Sequence, residues 1–480
     1  MVAREPPARG ARPQKQLPTH VSSWAFTIAS MRILSLTAGA ASMYCGSCMR
    51  DNALAAELIR LGHEATLLPF YTPTLTDEEN VSRQQRVFYG GISVYLEQHL
   101  PWYRRAPRFV DRLLDSPNVI KAFTSGSISV DAKQLGALTV STLRGEQGHQ
   151  RREIEKLLDF LKDEPRPDVV NIPYTLLICL AAPIRRVLKC PIVMTLQGED
   201  LFLEGMTEPF RSEALELVRS QIREVDLFIA VSDYYARFMQ DYLRIPESKM
   251  RVGTLGVSTA DLTVTTRRER DPFTIGYFAR VAPEKGLHNL ADAYRILRLD
   301  KGMPPARLLV AGYLPPEQKP YLDGIAEGLR HAGLADEFVY RGAVDRATKV
   351  QFFHDIDVLS VPSPYHEPKG LYLLEAMACG VPVVQPNHGA FPEVIARTGG
   401  GVLAKSETGA DGADALYELW KNPEFAAELG RQGAAGVRRH YTVTHMAERV
   451  LQIYRETVGG AGLPPSLKAT ADHRSLGEGG

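Results

Sequence analysis

Short, mostly apolar runs, each closed by glycine, proline or a polar cluster, recur along the chain and read as buried strands. Arg32–Leu36 and Ala65–Leu68 are two such runs. Between them lie a loop with Gly39 and Gly46 and a helix predicted from about Asp51 to Leu61, ended by Gly62-His63. The order is strand, helix, strand. Asp168–Asn171, Ile192–Leu196 and Asp226–Ser232 continue the series, and Val252–Val257 leads out of it past Gly256. After the polar segment Thr259–Asp271 the series starts again. Phe273–Phe278 is a strand, a helix begins near Leu287, and Leu308–Gly312, Phe338–Gly342, Val358–Val361 and Val381–Gln385 are further strands. Met446, Val450, Leu451 and Tyr454 recur at helical spacing near the end. The alternation predicts an α/β protein.

The stretch from Glu367 to Val384 carries the most chemistry. The strand Val358–Val361 is closed by Pro362 and Pro364, and then Leu371, Leu374, Met377 and Ala378 mark a short helix ended by Gly380 and Pro382. Gly370 falls where that helix begins. A helix start offers unpaired N–H groups and a positive dipole end to an anion, and glycine lets a phosphate or sugar come close to the backbone. Glu375, about one turn in, is placed to accept hydrogen bonds from a ribose diol, and Glu367 from hydroxyls of a transferred sugar. This arrangement suits a sugar nucleotide held without a metal.

Composition narrows the classes. With 480 residues, 44% hydrophobic and 23% charged, the chain is long enough for two globular domains. Its 56 acidic and 56 basic residues cancel, which argues against a nucleic-acid surface. No apolar run reaches membrane-spanning length; Leu176–Ile184 comes nearest and contains Pro183. Residues 1–30, rich in Pro, Arg and Ala, read as a disordered extension, and 459–480 as a disordered tail. Five scattered cysteines suggest a reducing, cytoplasmic setting. The first strand–helix unit lacks G-x-G-x-x-G spacing, so a nicotinamide enzyme is not supported.

The Glu367-to-Glu375 stretch, with the Ala-Met-Ala-Cys-Gly-Val-Pro run after it, resembles the signature of retaining glycosyltransferases of the GT-B fold, in the large family 4. The resemblance covers roughly residues 31–457. It implies two Rossmann-like domains facing across a cleft. The N-terminal acceptor domain would span 31–258, with the final helix 442–457 crossing back onto it. A linker at 259–271 would lead to the donor-nucleotide domain at 272–441. Arg280-Val281-Ala282-Pro283-Glu284-Lys285-Gly286, after a strand and before a helix, resembles the family's second signature, in which an Arg and a Lys grip the donor diphosphate. Charge building on a departing nucleoside diphosphate needs such neutralisation, and Arg280 and Lys285 stand where another enzyme would use magnesium. The resemblance also places Gly46 against the donor phosphates, the loop of Gly342 and Val344 against the base, and Gly370 and Leu371 at the diphosphate.

The acceptor side departs from the family pattern. Where histidines usually face the reacting sugar, this chain has Asn171 and Gln197, which do not titrate; Asp200 is the nearest candidate for a polar or basic role. Trp102, Tyr103 and Phe109 interleave with Arg104, Arg105, Arg108 and Arg112 within Phe88–Asp115. Such a patch fits an acceptor groove, an anionic lipid surface at the inner membrane face, or a lobe that turns its aromatics inward and its arginines to water. The last is the favoured reading. Cys45-Gly46-Ser47-Cys48 reads as small residues lining the cleft, with a redox pair or half of a zinc site as the alternatives. Asp355-Ile356-Asp357 precedes its strand rather than following it, so it is rejected as a metal site.

The expectation is a retaining, metal-independent hexosyltransferase with no cofactor. It would move sugar from a nucleotide-diphosphate sugar to a hydroxyl acceptor (glycan, lipid or small molecule), with no nucleic acid and no obligate protein partner. Arg280, Lys285 and Glu367 would serve the reacting centre. The alternatives are a non-catalytic sugar-nucleotide-binding protein, or an epimerase or hydrolase of the same fold.

Overall fold

Strands without polar alternation belong in parallel sheets covered on both faces, and the computed structural model contains two of them. It describes residues 30–39, 45–71, 74–82, 132–264 and 272–460. Residues 1–29, the Phe88–Asp115 lobe, 265–271 of the expected linker and 461–480 lie outside the described residues.

The first sheet comprises β1 (Arg32–Thr37), β2 (Glu64–Pro69), β3 (Val169–Ile172), β4 (Ile192–Leu196), β5 (Leu227–Ala230) and β6 (Met250–Val252). Its order is β2-β1-β3-β4-β5-β6, all parallel. The second comprises β7 (Thr274–Phe278), β8 (Arg307–Ala311), β9 (Phe338–Tyr340), β10 (Val358–Ser360), β11 (Val383–Pro386) and β12 (Gly401–Ala404), in the order β12-β11-β10-β7-β8-β9. Every neighbouring pair there is parallel too.

These orders decide where ligands can bind. In a doubly wound sheet the crevice opens beyond the carboxyl ends of the strands where the order reverses. In the second sheet that point lies between β7 and β10, which pair through Ile275 with Val358 and Gly276 with Leu359. The loops that leave it are 279–286 and 361–370, and they carry Arg280, Lys285, Glu367 and Gly370. In the first sheet the reversal lies between β1 and β3, and the helix Gly46–Arg60 follows β1.

That helix starts five residues earlier than the sequence pattern predicts. Gly46 and Ser47 are poor helix formers, but Cys48, Arg50 and Asp51 are buried on folding, and tertiary packing outweighs local propensity. Gly46 is therefore the first residue of the helix rather than part of the loop.

The last helix, Val443–Gly460, lies on the first sheet. Met446, Ala447, Val450, Ile453 and Tyr454 form one cluster with Met31, Ile33 of β1, Leu54 and Leu58 of the Gly46 helix, Val169, Val193 and Ile229. Among the described residues, no helix is long and apolar enough to cross a membrane.

Candidate active site

The loop after β7 is folded by one buried phenol. The Tyr277 hydroxyl donates to the Arg280 carbonyl at 3.2 Å, with the Lys285 carbonyl at 3.4 Å. Gly286 then turns the chain with φ +73° into the helix Leu287–Arg295. Lys285 is thereby aimed across the switch point, where its ammonium pairs with Glu367 on the loop after β10. Both side chains are largely buried (16% and 5% exposed). Burial alone would raise the Glu367 carboxyl, but Lys285, then Lys369, hold it below the usual range. Arg280 does not join this pair: it is half exposed and bound to Glu284 on its own loop.

Gly370 stands before the helix Leu371–Ala378 with φ +79°, in the left-handed region that suits glycine. Gly46 faces it from the first sheet, where a Cβ on Gly46 would meet Leu371 Cδ1 at 3.8 Å. Two helix starts thus approach one another, and Lys369 Nζ donates to Ser47 Oγ at 2.7 Å between them.

Glu375, in the Leu371 helix, is buried and accepts from Lys349 Nζ at 2.5 Å. Lys349 and Arg346 belong to the helix Arg346–Asp355, which follows Gly342 and Val344. Arg346 lies 3.4 Å from Glu375, 2.6 Å from Asp261 and 3.4 Å from Glu78, and Lys349 is also 2.5 Å from Asp77. Burial pushes the Lys349 ammonium down, but Glu375 and Asp77 more than offset it, so Lys349 stays charged. This ring borders a half-open cavity of about 30 Å³ lined by Met49, Asn52, Asp77, Arg346, Leu371 and Glu375. Gly342 accepts from the Gly312 amide at 2.9 Å and Val344 is half-buried.

On the opposite wall, Gln197 directly follows β4. Its Nε2 donates to Asp51 Oδ1 and to the Pro173 carbonyl, both at 3.2 Å, while its buried Oε1 has no donor among the described residues. The Gln197 and Gly198 amides donate to the buried Glu199 carboxylate, which shapes the turn. Asp200 accepts from the Tyr235 hydroxyl at 2.6 Å and from the Tyr365 hydroxyl at 2.9 Å. Burial raises its carboxyl and these two phenols oppose the rise. Asn171 lies within β3, where its side-chain oxygen accepts from Thr195 Oγ1 of β4 at 2.8 Å.

Asp355 pairs with Arg341, and Asp357 accepts the Thr274 amide at 2.8 Å, at the amino end of β7 and away from the switch point. Sequence reasoning missed Arg346, Lys349, Tyr365, Lys369 and Asp77. The one local signal was Lys349 beside Val350, Phe352 and Phe353, a cation among apolar neighbours; the others are set by contacts between distant segments.

Comparison with known proteins follows this geometry. The family model for glycosyl transferases group 1 matches residues 262–435, and the model for glycosyltransferase family 4 matches 137–261. A D-inositol 3-phosphate glycosyltransferase of Paenarthrobacter aurescens is 31% identical over 40% of this chain and 46% of its own. A phosphatidyl-myo-inositol mannosyltransferase of Mycolicibacterium smegmatis is 28% identical over 51% of this chain and 60% of its own. The chain thus spans about half the length of these curated relatives. Among solved structures, sucrose-phosphate synthase from Thermosynechococcus elongatus matches with a TM-score of 0.66 at 16% identity, covering 90% of this chain and all of that one. Anabaena HepE in complex with UDP matches with 0.62 at 18% identity, covering 89% of this chain and all of that one. These likenesses establish the GT-B fold, two parallel six-stranded sheets with flanking helices.

Proposed function

Since the chain belongs to the group 1, family 4 glycosyltransferases, we propose that it moves a sugar from a nucleoside-diphosphate sugar to a hydroxyl acceptor, with retention at the anomeric carbon and without a metal ion. The observation that carries this reading is the buried Lys285–Glu367 pair at the switch point of the second sheet, beside the glycine-led start of the Leu371 helix. Lys285, with Arg280 swinging from Glu284, neutralises the departing diphosphate, helped by the N–H groups at Gly370 and Leu371. Glu375, already fixed by Lys349, accepts from the ribose hydroxyls, and Glu367 accepts from hydroxyls of the donor sugar. The acceptor attacks on the face that the leaving group vacates, and a phosphate oxygen of that group takes the acceptor's proton. No titrating side chain is then required at Gln197. Its unpartnered Oε1 is a hydrogen-bond acceptor for a substrate hydroxyl.

The purified chain, incubated with a panel of nucleotide sugars and hydroxyl acceptors, is expected to form an α-glycoside from an α-linked donor, seen by proton NMR, at a rate indifferent to a chelator. Donor binding with neither transfer nor hydrolysis across the panel would instead favour a binding protein. An inverted product, or activity lost on chelation, would overturn the stated mechanism.

A further inference from the structure

The Gly46 helix opens on a pair of thiols that the transfer reaction does not use. Cys45 is the residue before the helix, in extended conformation (φ −108°, ψ 122°), and its carbonyl accepts the Met49 amide at 2.9 Å. Cys48 follows three residues later. This is the C-x-x-C spacing at a helix start that thiol–disulfide pairs use.

Their surroundings divide the roles. Cys48 is fully buried, whereas Cys45 is partly open. The hydrogen bond from Cys48 holds the Cys45 thiol well below its ordinary value; burial opposes this, and Lys369 and the Ser47 and Cys48 amides support it. Cys48 is pushed far up by Cys45 and by burial. Burial also pushes the remaining thiols up, Cys179 and Cys379 to about 12 and Cys190 to about 11. An accessible thiolate backed by a buried resolving thiol is the arrangement that thiol–disulfide exchange requires.

We infer that Cys45 and Cys48 are a reversible dithiol–disulfide site that exchanges with small disulfides of the glutathione type. The Cys45 thiolate attacks one sulfur of oxidised glutathione, forming a mixed disulfide and releasing one glutathione thiolate, which takes a proton. Cys48 then gives up its proton and attacks the Cys45 sulfur, closing the Cys45–Cys48 bond and releasing the second glutathione. Two electrons pass to glutathione; one of the two protons it takes up comes from Cys48 and the other from solvent, because Cys45 enters as the thiolate. Oxidation replaces a negative sulfur facing Lys369 with a neutral one. Lys369 bridges to Ser47 between the two cysteines, so the change is made at the junction of the two helix starts.

The test equilibrates the full chain in buffers of graded reduced-to-oxidised glutathione ratio, traps thiols with an alkylating agent and reads peptides by mass spectrometry. The Cys45–Cys48 disulfide is expected to rise from under a tenth to over nine-tenths of the chain across the series, while Cys179, Cys190 and Cys379 stay alkylated. In Cys48→Ser, Cys45 is expected to accumulate as the glutathione mixed disulfide; Cys45→Ser should abolish both species. Cys45 and Cys48 staying fully alkylated at every ratio would overturn the inference, and so would oxidation distributed equally over all five cysteines. The readout is independent of glycosyl transfer.

Discussion

Two lysines of the site, Lys285 and Lys349, each face a buried carboxylate. Lys285 depresses Glu367, so the sign of the pH effect follows. A depressed carboxyl stabilises the fold above its unfolded pKa of about 4.3, and that contribution is lost as pH falls through the lower folded value. Lys285→Met leaves the buried Glu367 with Lys369 as its remaining cation. The carboxyl then rises, and its ionised form costs stability at neutral pH, on the order of 3 kcal/mol. The melting temperature of Lys285→Met should therefore lie furthest below the parent's near pH 7, and the gap should narrow toward pH 4. A gap of constant size across that range would mean that the pair is not coupled to folding. Lys349→Met makes a different prediction, because Lys349 binds both Glu375 and Asp77. It should cost about 3 kcal/mol, by the same loss of a buried partner, and lower nucleoside-diphosphate affinity at least tenfold, by calorimetry, because Glu375 loses its fixed position. Unchanged affinity would show that Glu375 is held by the helix alone.

At the scale of elements, the site depends on how closely the loops after β7 and β10 approach. A Cβ on Gly286 would lie 1.9 Å from the Pro362 carbonyl oxygen, at φ +73°. Gly286→Ala therefore combines left-handed strain of roughly 1–2 kcal/mol with a backbone clash of roughly 1–3 kcal/mol. At Gly370 the nearest atom is the flexible Leu373 Cδ1 at 3.1 Å, so Gly370→Ala should cost little beyond the strain. Urea midpoints are expected to fall further for Gly286→Ala than for Gly370→Ala; the reverse order would contradict this account. The strands around these loops were legible in the sequence. Runs such as Leu308–Val310 and Val358–Ser360 are buried on both faces and show it as mostly apolar stretches. The Gly46 helix start was not legible, because Gly46 and Ser47 favour a loop locally and only the burial of Cys48 and Arg50 makes them helical. The Glu367–Glu375 spacing marked the loop and helix after β10, but Lys349 and Asp77, 272 positions apart, meet only through the fold and leave no pattern in the chain.

On the scale of the whole molecule, the two sheets are joined across the cleft at several points. Ser232 Oγ donates to the Pro368 carbonyl at 2.9 Å, Tyr365 binds Asp200, and Glu393 accepts the Asp233 and Tyr234 amides. The tightest junction is at Glu375, where Asp77 and Glu78 from the segment after β2 hold Lys349 and Arg346. Four carboxylates, Asp77, Glu78, Asp261 and Glu375, share these two cations. Burial, with repulsion from Asp77 and Glu375 added, raises the Glu78 carboxyl. The cavity left there, about 30 Å³, is far smaller than the roughly 300–1,000 Å³ of a site for a ligand of this size. A nucleoside diphosphate bound at Glu375 as proposed would compete with the acidic pair for Lys349 and Arg346, and the free energy spent on displacing that pair would be subtracted from its affinity. Asp77→Asn combined with Glu78→Gln removes the competing charge while keeping shape. Two effects of opposite sign should follow. The melting temperature falls because Lys349 loses a buried partner, and affinity for the nucleoside diphosphate rises about five- to tenfold because less must be displaced. Thermal denaturation and calorimetry on one preparation measure both. If affinity falls together with stability, Asp77 and Glu78 hold the donor rather than compete with it, and the displacement account is wrong.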